Sequence, residues 1–342
     1  VKEVLPKTTN EGHLFYSSTC IPCHNNKEIM ERNGINANSV ETYLDSYHGK
    51  GYDLGLPDKN AGCADCHSAH DVLPADDPKS SVNAANLQAT CQECHPKATE
   101  FFSMYYAHGD YHDSENYPIL YWTFMLMSGL LISVFAVFWV HSLLWMFRGF
   151  VENREKKDAL AEGKAHIHPD ADAHKIYSRF KMRHILLHVT VVISFLGLSL
   201  TGLPLKFSDQ EWAKTLMSFY GGVHYAGLIH RGCAILTFYY FIGAVWMSID
   251  FLFIRKDIKG HFLQKLFGPD SLMPNLRDIT DLIGMVKWFF FKGPKPSFER
   301  WTYWEKFDFL AVFWGMFAIG GSGLMLWFPE FFAQFLPGWI LN

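Results

Sequence analysis

Four apolar runs constrain this chain before any other feature does. Pro118 to Phe147, Ile185 to Pro204, Tyr225 to Phe253 and Phe307 to Phe328 each approach or exceed the roughly 20 residues that a helix needs to cross a bilayer. In hydrocarbon, backbone N–H and C=O groups have no water to bond, so a spanning segment is either a helix or a strand of a closed barrel. Runs of this length predict helices, and hence an all-α membrane protein. Mean hydropathy over the whole chain, +0.01, averages that apolar back half against a polar front. Residues 1–116 hold 17 acidic and 8 basic side chains and few aliphatic ones.

Loop charge predicts the orientation, because Lys and Arg concentrate on the cytoplasmic side. Arg148 to Arg183, between the first two runs, contains nine Lys or Arg, and Arg255 to Lys306, between the last two, contains ten. The loop between the second and third runs has Lys206 and Lys214 alone, and the tail after Phe328 has none. Residues 1–116 are therefore expected outside the cytoplasm, in a bacterial or archaeal cytoplasmic membrane, on its periplasmic side. No signal peptide is visible, and Val1 in place of Met is the start expected where one has been removed. Leu276 to Phe291 has the pattern of an amphipathic helix at the inner interface, followed by GPKPSFERWTYWEKF, whose aromatic and basic residues suit membrane anchoring.

The polar front repeats one motif. Cys-x-x-Cys-His occurs as CIPCH at Cys20, Cys23 and His24, as CADCH at Cys63, Cys66 and His67, and as CQECH at Cys91, Cys94 and His95, using six of the seven cysteines. This is the attachment signature of c-type haem: the two thiols form thioethers with the vinyl groups, and the adjacent imidazole ligates iron. A closed zinc site draws four ligands from paired knuckles, which would strand the third motif and leave the trailing histidines unexplained. A redox dithiol calls for a βαβ setting, which the flanking residues do not suggest. Three covalent haems would also supply the apolar mass that residues 1–116 lack. The expected domain is loop-rich, with little regular structure.

A pure electron carrier favours a second histidine on each iron. The candidates before the first run are His13, His48, His70, His108 and His112. His48 in SYHGK and His70, three residues after His67, rank first; His108 in YAHGDYH follows, ahead of His112 and His13. Which one serves which haem is not legible. The stretch HIHPDADAH, with His166, His168 and His174, reads as a solvated linker rather than a metal site.

Ionisable residues inside membrane helices are rare and usually functional. His188 lies about one turn into the second run from the cytoplasmic side, and His230 one to two turns into the third from the outside, which separates them by roughly 20 Å along the membrane normal. That depth pattern suits two b-type haems held between facing helices. His184 and His224 read as interfacial. Cys233 reads as a small packing residue.

At these residues the chain resembles a family. HVTVVISFLGLSLTGLPLKF from His188 and GLIHRGCAILTFYYF around His230 are similar to the diheme cytochrome b subunit of membrane-bound formate dehydrogenases, hydrogenases and thiosulfate reductases, over about half the chain; the front resembles multihaem c-type cytochromes. The resemblance implies His188 as ligand of a cytoplasmic-side haem b and His230 of an outer-side one. It also implies a further helix carrying the opposing histidines. The fourth run has no histidine, so those ligands are expected from chain beyond residue 342, the favoured reading, or from another subunit, or else the b haems are incomplete. His141 on the first run is a conceivable partner for His188.

The expected organisation is a trihaem domain over 1–116, a first span over 117–147, a cytoplasmic linker over 148–183, and a cytochrome b-like membrane domain over 184–342 with spans at about 185–204, 225–253 and 307–328, the four spans together making a bundle of four helices, or five with the further one. No general base, nucleophile or nucleotide fingerprint stands out, and the net charge of −4 offers nothing to nucleic acid. The cofactors would carry the chemistry. The expected function is a respiratory c/b-type cytochrome subunit passing electrons between the quinone pool, menaquinone or ubiquinone, and a periplasmic cytochrome or dehydrogenase, within a complex of further subunits. The rival is a relay and anchor subunit with no quinone site of its own. A haem-based sensor would need an open coordination position. The direction of flow is not encoded in any readable feature.

Overall fold

The computed structural model describes residues 10–55, 60–163, 180–256 and 260–342, the side chains of residues 10–14 and 16 excepted. His166, His168 and His174, and the side chain of His13, lie outside the described residues. Among the described residues every regular element is helical and no strand occurs.

The polar front has one helix of length, α1 (Asn10–His24), and then short ones: α2 (Lys27–Arg32), α3 (Ser39–Asp45), α4 (Tyr47–Asp53), α5 (Cys63–His67), α6 (Leu87–Gln92) and α7 (Glu100–Ser103). Such short helices are marginal on propensity alone, and side-chain caps mark where they begin. Asn26 accepts from the Ile29 N–H, Ser46 from Gly49 and Thr99 from Phe102, each closing an otherwise open first turn. Few large apolar side chains are buried here; Met30 and Val40 are the largest.

Among the described residues four helices are long and apolar enough to cross a membrane, consistent with a multi-pass membrane protein. They are α8 (Pro118–Ala161), α9 (Met182–Lys206), α11 (Val223–Ile249) continued by a π-turn over Asp250–Ile254, and α14 (Tyr303–Gly315), which runs through a π-turn over Met316–Gly320 into α15 (Gly321–Trp327). Their outward residues are apolar: Leu126 is 71% exposed and Ile132 68%. In water that surface would drive aggregation; against lipid it is the appropriate solvent face. Between the spans lie α10 (Glu211–Phe219), α12 (Phe262–Leu266) and α13 (Leu276–Phe289), and α16 (Pro329–Phe332) follows the last span.

One boundary differs from expectation. α8 continues to Ala161, well past Phe147. The added residues, RGFVENREKKDALA, are strong helix formers, and Lys156 pairs with Glu152 one turn earlier at 3.1 Å.

The chain divides into two compact units, one of Val1–Thr123, Val191–Phe238 and Ile319–Asn342, the other of Phe124–Thr190 and Tyr239–Ala318. In the second, Met285, Trp288 and Phe289 of α13 form a buried cluster with Leu144, Phe298, Tyr303 and Trp304 around it. The amphipathic pattern of Leu276 to Phe291 thus buries one face against protein.

Candidate functional site

The three motifs sit at helix ends. The first closes α1, the second is α5, and the third begins in α6 and runs past its end. All seven cysteines are free thiols. Cys20 and Cys63 are hydrogen-bonded to each other, and Cys66 feels the charge of Cys91 and Cys94, so the three motifs are neighbours in sequence order. Burial pushes the Cys66 thiol up to about 12, and raises Cys20, Cys63 and Cys91 as well. Among the described residues no group of three or more His, Cys, Asp or Glu is arranged to hold a metal ion.

The histidines come instead in twos. The rings of His67 and His108 have centroids 6.2 Å apart with planes at 52°, and those of His48 and His95 are 6.5 Å apart at 48°. A coordinated imidazole nitrogen sits roughly 2 Å from a first-row metal ion, with its ring centroid about 1 Å behind, so two axial imidazoles on one iron have centroids about 6 Å apart. Both pairs are spaced as such ligands would be. The arrangement fits a haem iron at each.

Local structure sets each of these rings. His48 is the second residue of α4, and a Cβ at Gly49 would overlap the Tyr43 carbonyl and Leu44, so only glycine lets this turn lie directly on α3. His108 follows α7 and is fixed through Nδ1, which donates to the Ser39 carbonyl at 2.8 Å, with the Thr42 hydroxyl 3.3 Å away. A carbonyl only accepts, so Nδ1 carries the proton and Nε2 keeps its lone pair for a metal. Burial, the largest influence in each case, lowers the pKa of His48, His67 and His108 and favours the neutral form that ligates.

The other expected ligands are placed differently. His70 is exposed, and among the described residues no hydrogen bond or ring contact engages it; His112 is exposed beside Tyr111 at 4.3 Å. His24 is exposed, close enough to His67 to influence its charge. The structure thus brings together His48 with His95 and His108 with His67, and leaves His70 apart from any motif histidine's ring. The earlier ranking of His70 rested on its nearness in sequence to His67. Ser68, at φ 67°, turns the chain immediately after that histidine.

Within the spans, His230 on α11 is anchored through Nδ1 to the Thr201 hydroxyl of α9 at 2.8 Å. Thr201 donates its own proton to the Gly197 carbonyl at 2.6 Å, so it accepts from His230 and again leaves Nε2 unprotonated. His188 is exposed on α9. Nε2 of His141 is 2.6 Å from the Tyr303 hydroxyl, with Phe289 and Trp304 against the ring. His184 accepts the Lys181 backbone N–H at 3.0 Å, at the start of α9, and His224 packs on Tyr225.

The orienting groups, Ser39 and Thr42 for His108, Thr201 for His230 and Glu330 beside His95 at 3.5 Å, carry no mark in the sequence that would single them out. Comparison of the chain with protein-family models, curated proteins and solved structures finds no match in any of the three.

Proposed function

We propose that this chain is a c/b-type cytochrome subunit of a membrane respiratory complex, passing electrons between the quinone pool and redox partners outside the cytoplasm. The observation that carries the reading is the placing of two imidazole pairs, His67 with His108 and His48 with His95, at ligand spacing, each pair containing the histidine of a Cys-x-x-Cys-His motif. On this reading Cys20 and Cys23, Cys63 and Cys66, and Cys91 and Cys94 hold three haems covalently, with His24, His67 and His95 as their proximal ligands. His108 is the distal ligand in the second site and His48 in the third. His230 and His188 each hold a haem b. Bound haem supplies reversible one-electron exchange between ferric and ferrous iron. The chain's own residues desolvate the imidazoles and fix their tautomers. The apolar helices hold the whole in the bilayer.

The test is a pyridine haemochrome assay on the purified protein, before and after acid-acetone extraction. About three c-type haems should survive extraction and about two b-type haems should be removed, and Cys63→Ser with Cys66→Ser should lower the retained count by one. Extraction that strips all haem would overturn the reading.

A further inference from the structure

The fourth span does not end free. After Trp327, α16 and a 3₁₀ turn over Gly338–Leu341 fold onto the segment that follows the third motif. Thr99 Oγ1 donates to the Ala333 carbonyl at 2.6 Å. The Tyr106 N–H donates to Asn342 Oδ1 at 3.0 Å, and Asn342 Nδ2 donates back to the Tyr106 carbonyl at 2.9 Å. A Cβ on Gly338 would stand 2.6 Å from both the Phe102 carbonyl oxygen and the Tyr105 nitrogen, so the two backbones approach at a distance that only glycine permits. This docking brings Glu330 to the third motif, with Oε1 3.5 Å from His95 Nδ1. Among the described residues no hydrogen bond occupies Nε2 of His95, and the Phe102 ring lies 4.9 Å from its centroid.

We propose that Glu330 is a positioning residue for His95, tying the third Cys-x-x-Cys-His site to the end of the fourth membrane span and setting its reduction potential below the value it would otherwise have. The inference rests on the reading above, that the motifs carry haem. The carboxylate, 3.5 Å from Nδ1, favours the proton on that nitrogen through its charge and leaves Nε2 as the ligating nitrogen. It also makes that nitrogen a stronger donor, which stabilises ferric over ferrous iron. In the second site a neutral carbonyl, that of Ser39, bonds the distal histidine His108. The motifs neighbour one another in the order first, second, third, so the site in contact with Glu330 is an end member of the row.

The experiment is a spectroelectrochemical titration of the full chain in detergent, comparing the unsubstituted protein with Glu330→Gln, Glu330→Asp and Glu100→Gln. Glu330→Gln keeps shape and removes charge, and should raise the midpoint of one of the three covalent haems while the other two hold. Glu330→Asp keeps the charge and should restore part of the shift. Glu100→Gln, which removes an exposed carboxylate of α7 that does not touch His95, should leave all three unchanged. Three retained haems with unmoved midpoints in Glu330→Gln would overturn the proposal, as would an equal shift in Glu100→Gln, which would assign the effect to the general field. Loss of all haem from the unsubstituted protein on extraction would instead overturn the reading beneath it.

Discussion

An imidazole that is to ligate iron must keep one nitrogen free, and the group bonded to the other nitrogen decides which. His108 and His230 meet that condition through oxygens at 2.8 Å on Nδ1, the Ser39 carbonyl and the Thr201 hydroxyl. His70 has no such partner and no facing ring. Substituting His108 or His48 by alanine should therefore leave one ferric iron without its sixth ligand and give a high-spin signal from one haem, read by electron paramagnetic resonance at low temperature. His70→Ala should keep the low-spin spectrum. A high-spin signal from His70→Ala with none from His108→Ala would reverse the assignment. The motif cysteines and histidines were legible because their Cys-x-x-Cys-His spacing is local in the chain. The rings that face them, His48 and His108, were legible only as members of a short set of candidates, since pairing across the domain depends on where α3, α4 and the segment after α7 come to rest.

At the scale of elements, α13 and α14 are joined by a buried charge. Lys306 is fully buried, and its Nζ lies 2.9 Å from Asp278 and 3.3 Å from Glu299. Both acceptors have further work: Asp278 accepts the Asn275 N–H at 2.7 Å, opening α13, and Glu299 accepts from the Asn275 amide at 3.1 Å. Removing one partner of a buried pair costs about 3–5 kcal/mol, because the other charges stay desolvated. Lys306→Met keeps the volume and should lower the thermal midpoint of the detergent-solubilised protein while the covalent haem count stays the same. An unchanged midpoint would mean that water reaches Asp278 and Glu299. α14 starts four residues before the apolar run, at Tyr303, where Thr302 and Glu305 form a capping box of the T-x-x-E kind. The face of α13 was readable from its apolar spacing. That Lys306 would lie inside was not readable: Lys is almost never fully buried without a partner, and its partners lie seven and 28 residues away.

For the molecule as a whole, the clasp between Thr99 and Ala333 and between Tyr106 and Asn342 bears on the number of crossings. Thr99 and Tyr106 precede all four long helices, and Ala333 and Asn342 follow them. Groups in hydrogen-bonding contact outside the bilayer are on one side of it, so the number of crossings between them is even. Four candidate spans satisfy that condition and three would not. The four spans were legible because hydrocarbon imposes a minimum apolar length; the clasp was not, because its bonds are mostly to backbone atoms, which any sequence supplies. Parity is testable with an impermeant thiol reagent, using a Cys233→Ala background in which the remaining cysteines are those of the motifs. Ser114→Cys and Gln334→Cys, exposed positions before the first span and after the last, should label together in intact cells. Lys157→Cys, exposed near the far end of α8, should label only after permeabilisation, since the excess of Lys and Arg between the first two spans predicts a cytoplasmic location. Labelling of Ser114→Cys and Gln334→Cys from opposite sides would remove one helix from the membrane, and the clasp would then have to be absent from the protein in its bilayer.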